Sequence, residues 1–387
     1  MAVKILSVDD ENDLELLLTQ YFRRKIRKGE YEFSFAHNGL EALTMLLKNK
    51  DYDIILSDIN MPEMDGLTLL TKINEMRNPA LKCIMVSAYG DMGNIRQAMN
   101  NGAFDFATKP IDLDDLSLTI EKAIEQIKYI REMQSNSEQL ESLKGDLAIA
   151  REIQHAILPR IFPPFPENEG QIDIAASMEA AKDVGGDFYD FFRIDERRIG
   201  FVIADVSGKG IPAAIFMAVS RTLMRATGIR GGSTNECMGY TNDLLTKESV
   251  ECMFVTVFYG IYDLETGEIS YCNAAHNPPY ILKRDGSVEA LPMSKDPMVG
   301  AIEGLTYHEE KMKLEPGDTL FMFTDGVTEA MNTVFEEFGE SRLEATLMGC
   351  SGKSCQEMID AVSSDVKSFV GDAEQSDDIT MLVLKRL

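Results

Sequence analysis

The first 125 residues alternate short β-rich runs with stretches whose apolar residues recur every three or four positions. The short runs predict strands at Lys4–Val8, Tyr31–Ala36, Ile54–Ser57, Lys82–Val86 and Phe104–Thr108. The longer stretches predict helices near residues 12–27, 39–48, 67–76 and 92–100, with another that begins near Asp112. Strands and helices that alternate in this way are typical of a doubly wound parallel sheet of the α/β class.

From Leu113 the pattern predicts one long helix, which ends where Leu158 meets Pro159. Its apolar spacing runs through residues 113, 116, 120, 123, 127 and 130, and then through 133, 136, 140, 143, 147, 150, 154 and 157, where Asn136 and Gln154 are polar. The two series are out of phase by three residues, and Gly145 weakens the helix locally. We expect a parallel coiled coil and hence a homodimer through this linker helix. The alternative is a single amphipathic helix packed on one of the domains.

After the linker the pattern changes to strands in hairpin-like succession. The predicted strands are Ile172–Met178, Phe201–Asp205, Phe254–Asp263, Gly267–Ala275, Tyr280–Arg284, Thr319–Gly326 and Ile379–Leu387, with helices at 212–227, 233–248 and 354–370. Strands grouped in this way indicate an α+β sandwich of antiparallel sheets flanked by helices. The sequence therefore predicts a first domain at 1–125, a helical coiled-coil linker at 126–160 and a second domain at 161–387.

Composition narrows the class of protein. The formal net charge of −26 over 387 residues disfavours a nucleic-acid surface, which needs clustered Lys and Arg. No apolar run has the length of a membrane span or a signal peptide, so we expect no membrane partner and a cytoplasmic protein. The cysteines lack a CxxC or zinc spacing and are expected to be reduced, buried thiols. They are Cys83, Cys237, Cys252, Cys272, Cys350 and Cys355.

Polar side chains follow the predicted strands of the first domain, where parallel strands place their carboxyl ends at one edge of the sheet. They are Asp9, Asp10, Asp58, Ser87 and Lys109. One such aspartate alone would be interpreted as a helix cap. Several carboxylates at one edge need a divalent cation such as Mg²⁺, and the lysine and serine could hold phosphoryl oxygens. The pattern predicts phosphoryl transfer onto Asp58.

This region resembles the response-regulator receiver family over nearly its full length. The match is carried by Asp9-Asp10, by Asp58 in SDINMPEMDG, by Ser87 in VSAYG and by Lys109-Pro110. The resemblance implies a flavodoxin-like fold, a sensor histidine kinase as partner and Asp58 as the phosphoacceptor. It also implies that Asp10 and Asp58 bind Mg²⁺ with the help of Asp9 and the backbone carbonyl of Asn60. Ser87, Phe106 and Lys109 fall at the positions of the family's switch.

Acidic residues interrupt the apolar strand sequence of the second domain at four places. These are Asp187 in VGGDFYD, Asp205 in IADVSGKG, Asp325 in FTDGVTEA and Asp377-Asp378 in SDDIT. A single Asp-Gly would be interpreted as a β-turn. Four such places with no matching Lys or Arg favour paired divalent cations of the kind that catalyse phosphoryl transfer. His276 has no companion histidine and is expected to be structural.

The segment from about Ile153 to Leu387 resembles the SpoIIE-type branch of the metal-dependent (PPM) serine/threonine phosphatases. The motifs occur in the order EIQHAILP, VGGDFYD, DVSGKGIPAA, NAAHNPP, FTDGVTEA and SDDIT. The resemblance implies that two Mn²⁺ or Mg²⁺ ions are bridged by Asp187 and Asp205 with the Val206 carbonyl. Asp325 and Asp377 would hold the remaining positions on one metal, with the adjacent Asp378 as the alternative to Asp377.

Two positions depart from the wider family's pattern. Ser207 stands where animal members carry a candidate general acid, so the general acid is unassigned, and Ala275 replaces the glycine before His276. Together the resemblances imply a two-component response regulator that dephosphorylates phosphoserine or phosphothreonine in a protein, under control of Asp58. The expected substrate is an anti-sigma-factor antagonist. The alternative is a non-catalytic adaptor or sequestering protein, which the retained aspartates disfavour.

Overall fold

The protein is described from a computed structural model, which covers residues 2–88, 91–160, 165, 170–248 and 253–387. The chain divides into two compact units, Met1–Leu143 and Lys144–Leu387. Each unit has its own hydrophobic core and is described by itself. The domain ranges 1–125, 126–160 and 161–387 expected from the sequence stay a prediction.

The first unit is a five-stranded parallel sheet with helices between the strands. Its elements are β1 (Val3–Val8), α1 (Asn12–Tyr21), α2 (Arg23–Arg27), β2 (Tyr31–Ala36), α3 (Gly39–Lys48), β3 (Ile54–Asp58), α4 (Gly66–Glu75), β4 (Lys82–Ala88), α5 (Met92–Asn100), β5 (Asp105–Lys109) and the start of α6 (Leu113–Ile157). The strand order is β2-β1-β3-β4-β5. The expected doubly wound sheet is confirmed.

One predicted helix of this unit is divided. The stretch 12–27 forms two helices because the backbone at Phe22 (φ −85°, ψ 7°) leaves helical geometry. The buried ring of Phe22 packs there against Tyr31 and Phe33 of β2. The apolar period alone does not reveal this break, because it continues through both helices.

The first part of α6 packs on the sheet of its own unit. Leu116, Ile120, Ala123 and Ile127 are buried in the core of that unit. The first apolar series of the linker is therefore a domain-packing face, as the alternative expected, and not a coiled-coil seam. Met133, Leu140 and Leu143 are about half exposed, and the coiled coil stays a prediction for this later stretch.

The second unit is a sandwich of two antiparallel sheets. Its elements after α6 are β6 (Ile172–Glu179), β7 (Phe188–Arg193), β8 (Arg198–Val206), α7 (Ile211–Gly228), α8 (Thr234–Glu248), β9 (Val255–Asp263), β10 (Glu268–Ala274), β11 (Tyr280–Leu282), β12 (Val288–Ala290), β13 (Glu310–Lys313), β14 (Thr319–Phe323), a short 3-10 helix (Asp325–Val327), α9 (Glu340–Met348), α10 (Cys355–Val370) and β15 (Ile379–Arg386). The orders are β13-β10-β9-β8-β7 and β12-β11-β14-β15-β6.

The core of this unit lies between the two sheets, where Phe201 and Phe258 of one sheet share a cluster with Leu320 and Leu382 of the other. Helices α9 and α10 cover the outer face of the second sheet, and α7 and α8 pack on the first. The predicted antiparallel sandwich with flanking helices is confirmed.

Five elements of this unit were not predicted: β7, β12, β13, α9 and the short 3-10 helix, which replaces the end of the strand predicted at Thr319–Gly326. The strand β7 has both faces buried, so its sequence FYDFFR lacks the alternation that identifies a half-exposed strand. The strands β12 and β13 are short, mostly exposed edge strands that only their pairing with β11 and β10 defines. Local sequence therefore carries little signal for them.

The cysteines that the structure describes agree with the prediction of buried, unpaired thiols. Cys83, Cys237, Cys272, Cys350 and Cys355 are free and buried, while Cys252 lies outside the described residues. Among the helices that the structure describes, none combines the length and the apolar character needed to cross a bilayer.

Candidate functional sites

The carboxyl edge of the parallel sheet brings three aspartates together. Asp9 and Asp10 follow β1 and Asp58 ends β3, and each offers an oxygen that lies within 4.8 Å of the other two. Asp9 and Asp58 are buried, whereas Asp10 is exposed. Gly66 is required beside them, because a Cβ atom there would lie 2.0 Å from the Asp58 carbonyl oxygen. The start of α4 therefore packs directly on the Asp58 backbone.

Lys109 closes this cluster from the end of β5. Its Nζ lies 2.6 Å from Asp58 Oδ2 and 2.9 Å from Asp9 Oδ2. Burial lowers the pKa of Lys109, but hydrogen bonds to the two carboxylates outweigh it and raise the net pKa. Burial raises the pKa of Asp9. The cluster thus keeps a cation against carboxylates that would otherwise repel one another.

The other predicted residues of this domain surround the same edge. Asn60 donates its backbone N–H to Asp58 Oδ1 at 3.3 Å. Ser87 follows in β4 with its Oγ buried and without a hydrogen-bond partner among the residues that the structure describes. Phe106 of β5 is half-buried and packs against the core of this unit. The peptide between Lys109 and Pro110 is cis. A buried free hydroxyl next to Asp58 and Lys109 fits a site that receives a phosphoryl oxygen.

The second cluster is built from both sheets of the sandwich. Asp187 directly precedes β7 and Asp205 lies near the end of the neighbouring β8. Asp325 follows β14, and Asp377-Asp378 precede the neighbouring β15. Each sheet therefore contributes a pair of acidic strand ends. Within the described residues, no three of these carboxylates approach within 4.8 Å as those of the first cluster do.

Asp187 is the most deeply buried of these aspartates, with an exposed fraction of 1%. Thr324, just before Asp325, donates its hydroxyl to Asp187 Oδ2 at 2.7 Å and accepts the backbone N–H of Thr380 at 3.0 Å. Burial, followed by the charges of Asp205 and Asp378, raises the pKa of Asp187 well above its ordinary value. Thr324 of the FTDG motif thus joins the second sheet to Asp187 of the first, and the backbone of Thr380 in the DDIT motif holds Thr324 in place.

The structure distinguishes Asp378 from Asp377. The Asp378 carboxylate accepts backbone N–H groups of Ala181 at 2.8 Å and Gly186 at 2.6 Å, so its oxygens are used to hold the loop before Asp187. Asp377 Oδ2 instead faces Lys209, whose Nζ lies 2.8 Å away. Because Asp377 is not used to hold the Asp187 loop, these contacts favour Asp377 as the ligand-binding residue and Asp378 as a support.

Close packing explains the glycine of the FTDG motif. A Cβ atom at Gly326 would lie 2.0 Å from the Asp378 carbonyl oxygen. Any side chain there would push apart the strand ends that carry Asp325 and Asp377. The glycine is therefore required for the two acidic loops to meet.

Val206 and Ser207 complete the loop after Asp205. Val206 is buried in β8. Ser207 Oγ accepts the backbone N–H of Phe254 at 3.0 Å, while its own N–H bonds the Phe254 carbonyl at 2.9 Å. The hydroxyl of Ser207 thus ties this loop to the residue before β9. The general acid remains unassigned.

Two contacts of the site were missed or undervalued by the sequence analysis. Lys209 of DVSGKG reaches Asp377 and the Ser376 carbonyl, at 2.8 and 2.6 Å. Gln154, which interrupts the apolar series of the linker helix, is buried and makes two hydrogen bonds with Gly185. A polar residue at an apolar helix position was the available signal for Gln154. A lysine in a glycine-rich loop gave no comparable signal for Lys209.

His276 lies in the core behind this site. Its Nδ1 is 2.9 Å from the hydroxyl of Thr256, the residue that pairs with Asp205 across β8 and β9. Asn273 accepts the N–H of His276 and donates to its carbonyl. Burial lowers the pKa of His276 to about 3. The histidine is therefore neutral, and its contacts are structural.

The electrostatics of the second cluster fit divalent cations. Burial raises the pKa of Asp205, and the charge of Asp325 raises it further. Burial also raises the pKa of Asp325, with the Asp377 charge adding to it. In the described part of the chain no Lys or Arg forms an ion pair with Asp187, Asp205 or Asp325, although Lys209 pairs with Asp377. Buried carboxylates without cationic partners are costly, and divalent cations such as Mg²⁺, which take oxygen ligands, would stabilise them.

Comparisons with known families agree with this division of the chain. The family model described as Stage II sporulation protein E (SpoIIE) matches residues 195–387. The model described as Response regulator receiver domain matches residues 5–121. Both family resemblances inferred from the motifs are confirmed by these matches.

Individual relatives cover different parts of the chain. Protein IcfG of Synechocystis is 34% identical over 67% of this chain, which spans 44% of the length of IcfG. Phosphoserine phosphatase RsbU of Bacillus subtilis is 30% identical over 64% of this chain, which spans 71% of RsbU. The SiaA-PP2C domain of Pseudomonas aeruginosa matches at a TM-score of 0.56 and 20% identity, over 64% of this chain and 98% of that domain. This last likeness shows the fold.

Proposed function

The chain belongs to the SpoIIE-type phosphatase family that includes RsbU, with a receiver domain at its N-terminal end, and from this premise we propose that it is a metal-dependent phosphatase of phosphoserine or phosphothreonine in proteins. The observation that carries the proposal is that Asp187, Asp205 and Asp325 lie at strand ends of the two sheets, are buried or half-buried, and form no described ion pair with Lys or Arg. An adaptor that only binds partners has no need to keep this costly arrangement.

The residues of the second cluster would have different roles. Two Mn²⁺ or Mg²⁺ ions would be held by Asp187, Asp205, Asp325, Asp377 and the Val206 carbonyl. The bound ions would supply Lewis-acid activation of water and of the phosphoryl group. Thr324 orients Asp187 through its 2.7 Å hydrogen bond. Asp378 fixes the loop of Gly186, and Gln154 fixes Gly185. Lys209 contributes positive charge beside Asp377, where the phosphate of a substrate would arrive.

The receiver domain would control this activity through phosphorylation of Asp58 by a sensor histidine kinase. Asp10 and Asp58, with Asp9 and the Asn60 carbonyl, would hold Mg²⁺ at the cluster of oxygens within 4.8 Å. Lys109 already contacts Asp58 at 2.6 Å, and Ser87 offers a buried hydroxyl without a described partner. A phosphoryl group on Asp58 would contact Lys109 and accept a hydrogen bond from Ser87. The half-buried side chain of Phe106 would then move together with Ser87 and act as the switch.

The linker would join two copies of the chain. Its half-exposed residues Met133, Leu140 and Leu143 continue the 3-4 spacing beyond the part of α6 that packs on the receiver. We therefore assign dimerisation to this later stretch, with the domain boundaries 1–125, 126–160 and 161–387. A cytoplasmic location belongs to the same proposal.

The substrate class is an anti-sigma-factor antagonist phosphorylated on serine or threonine. Two relatives support the phosphoserine chemistry: RsbU and RsbP of Bacillus subtilis are both described as phosphoserine phosphatases, and the chain spans 71% and 45% of their lengths. Removal of the phosphate would return such an antagonist to its active form.

Turnover with and without metal tests the proposal. The purified chain should release phosphate from p-nitrophenyl phosphate and from a serine-phosphorylated antagonist in Mn²⁺, and chelation should stop both reactions. Asp187→Asn and Asp325→Asn should remove the activity, while Asp195→Asn, at an exposed aspartate outside the cluster, should retain it. Absence of turnover with every metal and both substrates would favour the adaptor.

A further inference from the structure

The segment after Asp325 forms a small protruding hairpin, residues 331–337, which we name the finger. Its base is closed by an antiparallel bridge between Met331 and Glu337. The side-chain oxygen of Asn332 accepts the N–H groups of Val334 and Glu336, both at 3.0 Å. The N–H of Phe335 bonds the Asn332 carbonyl at 3.0 Å. The finger is therefore a built structure organised around Asn332.

The finger presents two apolar side chains to solvent. Phe335 is 86% exposed and Val334 is 68% exposed. Phe335 also has a φ of +63°, a left-handed conformation that bulky side chains rarely adopt. A strained backbone that holds an aromatic ring in water works against both stability and solubility. Such outliers persist at sites that bind partners.

A groove extends from Met331 at the base of the finger to residues next to the acidic cluster. Its volume is about 360 Å³, and its apolar lining includes Ala330, Met331, Val366, Val370 and Ile379. Its lining also includes Gly326 and Ser376, the immediate neighbours of Asp325 and Asp377. A polypeptide that lies in this groove therefore extends to the residues beside Asp325 and Asp377.

The charge around the groove indicates the chemistry of its occupant. Glu179 and Glu374 line it, and Glu336 and Glu337 are exposed on the finger. Lys367, which also lines the groove, is paired with Glu179 at 2.9 Å. The rim thus offers negative charge around an apolar floor. It is complementary to an apolar surface bordered by Lys or Arg.

We propose that the finger and the groove dock the phosphoprotein substrate, by covering an apolar patch bordered by basic residues next to its phosphorylated serine or threonine. We infer the occupant from the position of the groove, which is continuous with the proposed catalytic site. The groove ends at the residues beside Asp325 and Asp377, where the phosphate of a substrate must lie. This inference rests on the proposed phosphatase function and adds the surface that selects a protein over a small phosphate ester.

The test compares a protein substrate with a small one. The variants are Phe335→Asn, because asparagine tolerates a positive φ, and Val334→Ser. The control is Ile302→Ser, an apolar residue that is 60% exposed and outside the groove. The substrates are p-nitrophenyl phosphate and a recombinant anti-sigma-factor antagonist phosphorylated on serine, and thermal unfolding verifies that each variant folds.

Docking predicts that kcat/KM for the phosphoprotein falls about 30-fold in Phe335→Asn, the size expected for an exposed aromatic anchor, mainly through KM. Turnover of p-nitrophenyl phosphate should stay within about twofold, and the control should match wild type on both substrates. Equal losses on both substrates, or an unchanged kcat/KM for the phosphoprotein, would overturn the docking surface. Wild-type protein that hydrolyses neither substrate would instead overturn the phosphatase assignment.

Discussion

The contact between Gln154 and Gly185 gives a quantitative prediction for the phosphatase unit. Gln154 is 6% exposed, its Nε2 donates to the Gly185 carbonyl at 2.6 Å, and its Oε1 accepts the Gly185 N–H at 3.0 Å. Gly185 precedes Gly186 and Asp187, so the side chain at the end of α6 fixes the loop that carries a proposed metal ligand. Gln154→Ala removes both bonds.

The magnitude follows from the two backbone groups that lose their partners. Each buried polar group left without a partner costs roughly 1–3 kcal/mol, and water that enters the vacated space recovers part of this cost. We therefore expect a loss of about 2–3 kcal/mol in the free energy of unfolding. A loosened support of a metal ligand also weakens metal binding by about 10-fold or more, which should raise the Mn²⁺ concentration for half-maximal phosphatase activity.

Urea unfolding of the metal-free protein and Mn²⁺ titration of phosphate release measure the two effects. The matched control is Glu152→Ala, an exposed residue two positions earlier on the same helix. This control should change the free energy of unfolding by less than about 0.5 kcal/mol. A Gln154→Ala protein that equals the control in both assays would refute the idea that α6 supports the Asp187 loop.

Four further substitutions test the structural account. Ala275 has a φ of +55°, so Ala275→Gly should raise the free energy of unfolding by about 0.5–1 kcal/mol in urea, and a loss would contradict this. Burial lowers the pKa of His276 to about 3 from a usual 6.5, so the unfolded chain binds the extra proton and stability falls as pH drops below 6.5. At pH 5.5 this loss is about 1.4 kcal/mol, and it should be absent from the pH profile of His276→Asn. Asp378→Asn should cost about 2–4 kcal/mol without metal because its carboxylate accepts backbone N–H groups, whereas Asp377→Asn should cost under about 1 kcal/mol yet abolish Mn²⁺-dependent turnover. A larger loss of stability in Asp377→Asn than in Asp378→Asn would contradict the assignment of Asp377 as metal ligand and Asp378 as structural support.

The sequence was most informative where apolar residues recur regularly along one face of a strand or helix. The bounds of α3 and α5 agree with the pattern, because each helix has one face in the core and one in water, and the bounds of β2 agree as well. The fully buried β7 and the short edge strands β12 and β13 escaped it, because burial on both faces or pairing alone defines them.

The long helix shows a second limit of pattern reading. Its apolar period is compatible with a partner helix and with a domain surface, and only the structure shows that Leu116 to Ile127 face the receiver core. Likewise, motif spacing selected the aspartates, but it did not separate Asp377 from Asp378. That distinction depends on backbone N–H groups from residues almost 200 positions earlier in the chain.

The central claim is that phosphorylation at Asp58 controls a metal-dependent phosphatase in the same chain. Its most direct test is the rate of phosphate release from a serine-phosphorylated anti-sigma-factor antagonist in Mn²⁺, with and without beryllofluoride as a phosphoryl mimic. We predict that beryllofluoride increases the rate in the wild-type chain and leaves Asp58→Ala unchanged, while Asp187→Asn is inactive in both conditions. A wild-type rate that is the same with and without beryllofluoride, or release that persists in Asp187→Asn, would contradict the account.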